Sequence, residues 1–199
     1  MDNFYLFKEI YKKREIKKYS TLDLGFTAFY LNRCSRSGIL TAGPIGGLEQ
    51  KSKWKINCRF NKENLIERIQ VIARLRERIS IYNLDAINLI EYLINNDIVK
   101  KERSLIYLDP PYVEKGGMLY RRNYEVYDHK RLNTYLKKQY DLKWVLSYDD
   151  DPLIHDLYKG IKKNGLKVNH FASKAKIGKE LLILSDKCKS PSLYTTNEN

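Results

Sequence analysis

Four consecutive residues, Asp109-Pro110-Pro111-Tyr112, bring together groups able to act on a weakly nucleophilic amine. An exocyclic amino group on a flat heterocycle offers two N–H donors, and its lone pair is delocalised into the ring. A carboxylate (Asp109) and a backbone carbonyl (Pro110) could each accept one of those N–H bonds. They would localise the lone pair toward an incoming electrophile and stabilise charge as it develops on the nitrogen. Successive prolines fix the backbone and remove N–H donors, so the Pro110 carbonyl is free to point outward. Tyr112 adds an aromatic plane on which a heterocycle can stack. The arrangement suits alkylation of the amino group of a base. The structural alternative is a rigid strand-exit turn with Asp109 as its cap.

The elements that must position these residues follow from pattern. Residues 104–108 (SLIYL) read as a buried strand running directly into Asp109. In an open α/β sheet, ligands sit at the carboxyl ends of strands, so the tetrapeptide lies where a site belongs. Around it, residues 79–83 and 143–148 read as further strands, and 167–171 with 179–185 as a terminal β pair. Helices are expected at 84–97, at 128–140 capped by Asp128, and at 151–163 with Asp151 as N-cap and Pro152 in the first turn. Alternating strands and helices predict an α/β layered fold with a mainly parallel sheet. Upstream, residues 3–19 are helix-prone and basic, and 22–32 read as a buried helix with apolar positions at Leu24, Thr27, Ala28 and Leu31. Residues 33–53 are rich in glycine and serine and read as a long loop, functional or mobile. Residues 54–60 read as a strand, and 62–77 as an amphipathic helix with a stripe at Leu65, Ile66, Ile69, Ile72 and Ala73.

Composition narrows the class. Lys and Arg total 37 against 24 Asp and Glu, a net charge of +13. Such an excess points to a polyanionic partner, and 16 tyrosines make stacking on bases available. A lysine-rich surface of solvated helix faces is the bland alternative. No stretch approaches the roughly 20 apolar residues a bilayer needs, so no membrane role is expected. Cys34, Cys58 and Cys188 form no metal or disulfide spacing. With no signal-peptide pattern at Met1-Asp2-Asn3-Phe4, they fit a reducing cytoplasm. His129, His155 and His170 are scattered without ligand spacing, so no metal is expected.

Four stretches resemble the D12 class of adenine-specific DNA methyltransferases, the Dam-like group. The first is Phe29-Tyr30-Leu31-Asn32-Arg33 with Arg36-Ser37-Gly38-Ile39-Leu40 and Gly43-Pro44-Ile45-Gly46-Gly47. The second is Arg59-Phe60-Asn61-Lys62 leading to Leu65-Ile66-Glu67-Arg68-Ile69. The third is Asp109-Pro110-Pro111-Tyr112, with Leu119-Tyr120 and Tyr127-Asp128-His129 after it. The fourth is Trp144-Val145-Leu146-Ser147-Tyr148-Asp149, then Lys179-Glu180-Leu181-Leu182-Ile183. The resemblance runs from about residue 5 to residue 185, with order and spacing kept.

The resemblance implies a Rossmann-like methyltransferase sheet with a DNA-recognition insertion, acting on double-stranded DNA. It implies a flipped adenine held at Asp109, Pro110, Pro111 and Tyr112, and methyl transfer to N6 from S-adenosylmethionine. It places Asp85 and Ala86, with Asp109, against the cofactor. For Asp85 a helix-start carboxylate remains equally open. Asn32, Arg33 and Arg36, with Arg121 and Arg122, are its candidate DNA contacts, although most Arg–DNA contacts go to phosphate and Asn32 could equally be a helix C-cap. The expected organisation is a helical and loop region with the recognition segment at 1–78, a catalytic part at 79–186 and a disordered tail at 187–199.

The family also carries a Phe-x-Gly-x-Gly loop near the methionine part of the cofactor, and an acidic residue on the next strand. The 199 residues contain neither; Leu22-Asp23-Leu24-Gly25 lacks the further glycine. The sheet is therefore expected to be incomplete, with its N-terminal strands missing and an edge of the central strand unpaired. Three situations fit this expectation: one half of a split enzyme with a complementing N-terminal subunit or segment as partner, a truncated or mis-started gene product, or a degenerate relative that rearranges its sheet. The competing readings are a non-catalytic nucleic-acid-binding remnant and an amino-group methyltransferase acting on RNA or protein glutamine. Family members often accompany a restriction or phage system, which is analogy alone.

Overall fold

The computed structural model describes residues 1–13, 16–113, 124–170 and 176–189. The chain forms two compact units, residues 1–81 and 82–199.

The first unit is helical. Its helices are α1 (Asp2–Lys13), α2 (Thr21–Cys34) and α3 (Lys62–Arg74), with 3-10 turns at Ile16–Lys18, Arg36–Gly38 and Arg76–Arg78. Helix α2 starts at a capping box: the Ser20 hydroxyl accepts from the Asp23 N–H at 3.1 Å, and the Asp23 carboxylate accepts from the Ser20 N–H at 3.1 Å. That exchange satisfies orphan donors of the first turn. Positions 27, 31 and 34, spaced for one helix face, bury Thr27, Leu31 and Cys34. Leu31 and Cys34 pack with Phe4 of α1, and Phe7, Tyr30 and Phe60 close around them. Ala28, expected in the core, is exposed.

Residues 35–60 fold back on themselves. Ser35 bridges to Pro44, and the Ile45 N–H bonds to the Cys34 carbonyl at 2.8 Å. Gln50 ties the turns together: its Nε2 donates to the Ile45 carbonyl at 2.8 Å and its Oε1 accepts from the Ile56 N–H at 2.8 Å. Gly46 has φ +88°, and a Cβ there would lie 2.7 Å from the Trp54 carbonyl oxygen. Only glycine fits that approach. The strand expected at 54–60 does not form. Its N–H groups close successive turns, Cys58 to Lys55 and Phe60 to Asn57, so they are unavailable to a ladder. In α3 only Leu65 of the expected stripe is buried; Ile66, Ile69 and Ile72 are exposed.

The second unit carries the sheet. Its elements are α4 (Ala86–Asn95), β1 (Leu105–Leu108), α5 (Val126–Lys137), β2 (Lys143–Asp149), α6 (Pro152–Leu157), β3 (Lys163–His170) and β4 (Lys176–Leu184). The strand order is β1-β2-β4-β3. β1 runs parallel to β2 with Leu108 opposite Leu146, while β4 is antiparallel to both β2 and β3. The sheet is therefore mixed rather than mainly parallel. The segment between β3 and β4 is too short for a crossover and permits only an antiparallel hairpin. Helix α6 stops at Leu157 instead of reaching 163, because Gly160 at φ +80° turns the chain into β3. The strand expected at 79–83 is absent. Those residues have no neighbouring strand to bond, and Ile81 is 91% exposed.

Strand alternation decides which residues enter the core. Leu108, Trp144, Leu146, Tyr148, Leu181 and Ile183 pack with Ile90 of α4, Leu132 and Leu136 of α5 and Ile154 of α6. The opposite register positions of β1 are Leu105 and Tyr107, which are 63% and 61% exposed.

Candidate active site

β1 ends at Leu108 and delivers Asp109 to the carboxyl edge of the sheet, beside the last residues of the parallel strand β2. Asp109 itself is exposed, and Pro110 is buried beneath the turn. Ser147, one residue beyond the final β1–β2 register pair, is 4% exposed. Its hydroxyl donates to Asp109 Oδ1 at 2.9 Å. The Tyr107 hydroxyl donates to Ser147 Oγ at 2.9 Å. Tyr107, Ser147 and Asp109 thus form one directed chain of hydrogen bonds.

The rest of the tetrapeptide is held from β2 and β4. Asp149 and Glu180 are register partners across these strands. Glu180 Oε1 accepts from the Tyr112 hydroxyl at 2.5 Å. Asp149 Oδ1 accepts from the Val113 N–H at 3.2 Å. The aromatic plane and the turn after it are each fixed by a carboxylate, an acceptor stronger than a neutral group. Under the sheet, His129 of α5 is 1% exposed and its Nδ1 lies 2.7 Å from the Tyr148 hydroxyl. Burial holds the His129 pKa below the ordinary histidine value, against the opposing pull of Asp149, Asp128 and Asp151. Burial likewise raises the Tyr124 phenol to about 12.

Asp85 has partners of its own. It is the N-cap of α4, where Oδ1 accepts from the Ile87 and Asn88 N–H groups at 3.1 and 3.4 Å. Its Oδ2 pairs with Arg131 of α5 at 2.5 Å. Ala86 is the exposed first residue of that helix. With both oxygens engaged, Asp85 serves in this arrangement as the helix-start carboxylate.

The candidate DNA contacts lie in the first unit. Asn32 Nδ2 donates to the Gly38 carbonyl at 3.1 Å; it is not a C-cap, because α2 continues to Cys34 and Ser35 caps it. Arg33 is half-buried, and its Nε donates to the Arg59 carbonyl at 2.8 Å. Arg36 is exposed. Arg121 and Arg122 lie outside the described residues, as do Leu119, Tyr120 and most of the expected tail. Among the described residues no group of His, Cys, Asp or Glu could hold a metal ion, and no helix is long and apolar enough to cross a membrane.

Sequence reasoning assigned no role to Tyr107, Ser147, Asp149 or Glu180. Strand parity was the available clue. Ser147 and Asp149 are alternate polar positions on a strand whose other face is apolar, so both must leave the core beside the tetrapeptide.

The family model described as D12 class N6 adenine-specific DNA methyltransferase matches residues 2–173. No curated protein sequence matches the chain. The match takes in the Gly-rich turns after α2, the Asp109 tetrapeptide and the β2 residues that hold it. A carboxylate, a proline carbonyl and an aromatic ring at the carboxyl end of a strand, inside so long a match, make the chain a member of the D12 class of N6 adenine-specific DNA methyltransferases.

Proposed function

We propose that this chain methylates adenine N6 in double-stranded DNA, on a base flipped out of the duplex into the Asp109 turn. The observation that carries the reading is the Ser147-to-Asp109 hydrogen bond, which aims the carboxylate at the edge where Tyr112 is also pinned. S-adenosylmethionine, which the family generally uses, supplies the methyl group. Asp109 and the Pro110 carbonyl accept the two amino N–H bonds of adenine, and Tyr112 stacks on its ring. As the N–C bond forms and the S–C bond breaks, with S-adenosylhomocysteine as the leaving group, the two acceptors would stabilise the positive charge on nitrogen, and one N–H proton would then pass to solvent.

The DNA-facing residues of this proposal are Arg36 in the first unit and Arg121 and Arg122 in the second, with Asn32 and Arg33 holding the recognition turns. Residues 1–78 serve recognition and 79–186 serve catalysis. Cofactor binding at Asp85 and Ala86 requires Arg131 to release the Asp85 carboxylate. We further propose that a complementing segment pairs with the outer edge of β1, the end strand of the β1-β2-β4-β3 order, and completes the cofactor site. Such an edge is a ready template for another strand. Amide hydrogen exchange along Leu105–Leu108 tests it. Alternate amides are open in the chain alone and all are protected in an active preparation; open amides in an active preparation refute it.

The activity itself is tested by mass spectrometry of nucleosides after incubation with DNA and S-adenosylmethionine. The expected product is N6-methyladenine, and Asp109→Ala is expected to lower its rate by at least about 10²-fold, the cost of removing one preorganised charge-stabilising group. Parent-level methylation by Asp109→Ala would sink the mechanism. DNA binding without methylation by the completed protein would favour the non-catalytic remnant.

A further inference from the structure

We infer that Ser147 is a positioning residue for Asp109 and that Tyr107 sets the direction of its hydroxyl. The inference rests on the proposed role of Asp109. A serine hydroxyl has one proton and two acceptor lone pairs. The Tyr107 hydroxyl donates to Ser147 Oγ at 2.9 Å, and the Ser147 proton is committed to Asp109 Oδ1 at 2.9 Å. The chain of donors therefore runs one way, from Tyr107 through Ser147 to Asp109. The second carboxylate oxygen of Asp109 has no hydrogen-bond partner among the described residues.

This division is what an amino acceptor needs. An exposed carboxylate on a two-bond side chain rotates among several orientations. Anchoring one oxygen fixes the direction of the other, so the acceptor geometry exists before the base arrives, and orientation is not lost at the moment of reaction. The anchor comes from a rigid element. Ser147 lies within β2, paired with Leu182 on β4, and is almost fully buried. Tyr107 lies on β1 immediately before Leu108 and Asp109. One carboxylate is thus held by a hydroxyl on the neighbouring parallel strand, and that hydroxyl is oriented in turn from β1.

The experiment compares the parent protein with Ser147→Ala, Ser147→Thr and Tyr107→Phe, with Asp109→Ala alongside. In the active preparation, Ser147→Ala is expected to lower kcat about 10- to 100-fold, the loss of one hydrogen bond to a charged group. KM for DNA and for S-adenosylmethionine should stay within about 2-fold, since the Ser147 hydroxyl is buried and its proton is committed to Asp109. Ser147→Thr keeps the hydroxyl and should recover most of the rate; Tyr107→Phe should cost less than Ser147→Ala. A rise in KM with kcat unchanged, or a Thr variant as slow as Ala, overturns the inference. Crystal structures of the parent and Ser147→Ala give a readout free of activity. Asp109 is expected in one orientation in the parent and in more than one, or rotated, in Ser147→Ala. An unchanged single orientation overturns the inference whatever the methylation assay reports. Loss of methylation in every protein, with the reorientation still present, would instead count against the proposed activity.

Discussion

Arg33 and Arg36 stand three residues apart, yet the fold gives them different work. The Arg33 Nε is committed to the Arg59 carbonyl at 2.8 Å, a half-buried bond that ties the end of α2 to the segment before α3. Arg36 gives its backbone to the fold, its N–H donating to the Gly43 carbonyl at 2.9 Å and its carbonyl accepting from the Ile39 N–H at 3.1 Å, while its side chain is exposed. Arg33→Ala should therefore cost about 1 kcal/mol of stability, the ordinary net worth of a hydrogen bond. Arg36→Ala should stay within about 0.5 kcal/mol in stability, as surface substitutions do. It should instead weaken DNA binding and reduce its salt slope by about one, the mark of a lost phosphate contact. Urea unfolding and DNA titration on the same two proteins decide it; the reverse pattern would mean that Arg33 faces DNA. Residue identity made both arginines candidates in the sequence. It could not separate them, because the distinction lies in Arg59, a contact 26 positions away.

At the scale of elements, some caps read well and pairing did not; Asp128, expected as the N-cap of α5, lies inside that helix, and its carboxylate accepts from the N–H of the true N-cap, Glu125, at 2.9 Å. Asp151 before Pro152 announced a helix start, and Asp151 does cap α6, accepting from the Leu153 N–H at 2.8 Å. The apolar runs at β1 and β2 were legible because both are buried on one face. The strand at 79–83 failed because a strand exists only with a neighbour, and pattern does not supply one. The polar interior was illegible for the same reason. His129 of α5 and Tyr148 of β2 meet only when the helix packs on the sheet. That contact has a pH consequence. His129 has a folded pKa below its unfolded value, about 6.5, chiefly through burial. As pH falls below that unfolded value, the unfolded chain takes up the proton first, so stability drops until the folded pKa is passed. Stability from this group is complete above about pH 6.5. Urea midpoints should fall between about pH 8 and pH 5, and His129→Gln should lose part of that fall. An identical pH dependence in the two proteins would show that His129 carries no share of it.

At the scale of the molecule, charge is the property most legible in the sequence and the one whose use is hardest to see in any single residue. A net charge of +13 is distributed over both compact units in clusters such as Lys12-Lys13 and Lys137-Lys138. Exposed ion pairs such as Lys13–Glu9 and Lys51–Glu49 are already counted in that net figure. Exposed pairs of this kind are worth little in stability. An uncompensated field of this size favours a polyanion through release of its counterions, and that contribution carries no sequence information. Recognition of DNA as a polymer and chemistry on one base are then separable. With about six phosphate contacts, affinity should fall about 10³-fold between roughly 50 and 200 mM salt. Asp109→Ala should leave that slope unchanged, since its carboxylate faces the amino group of a base and no phosphate. Fluorescence anisotropy of labelled duplex DNA across a salt series measures both slopes. A flat salt response in the parent would remove the electrostatic basis for DNA as the partner. A steeper slope in Asp109→Ala would mean that the carboxylate repels the backbone in the parent, and that Asp109 faces the phosphates and not the base.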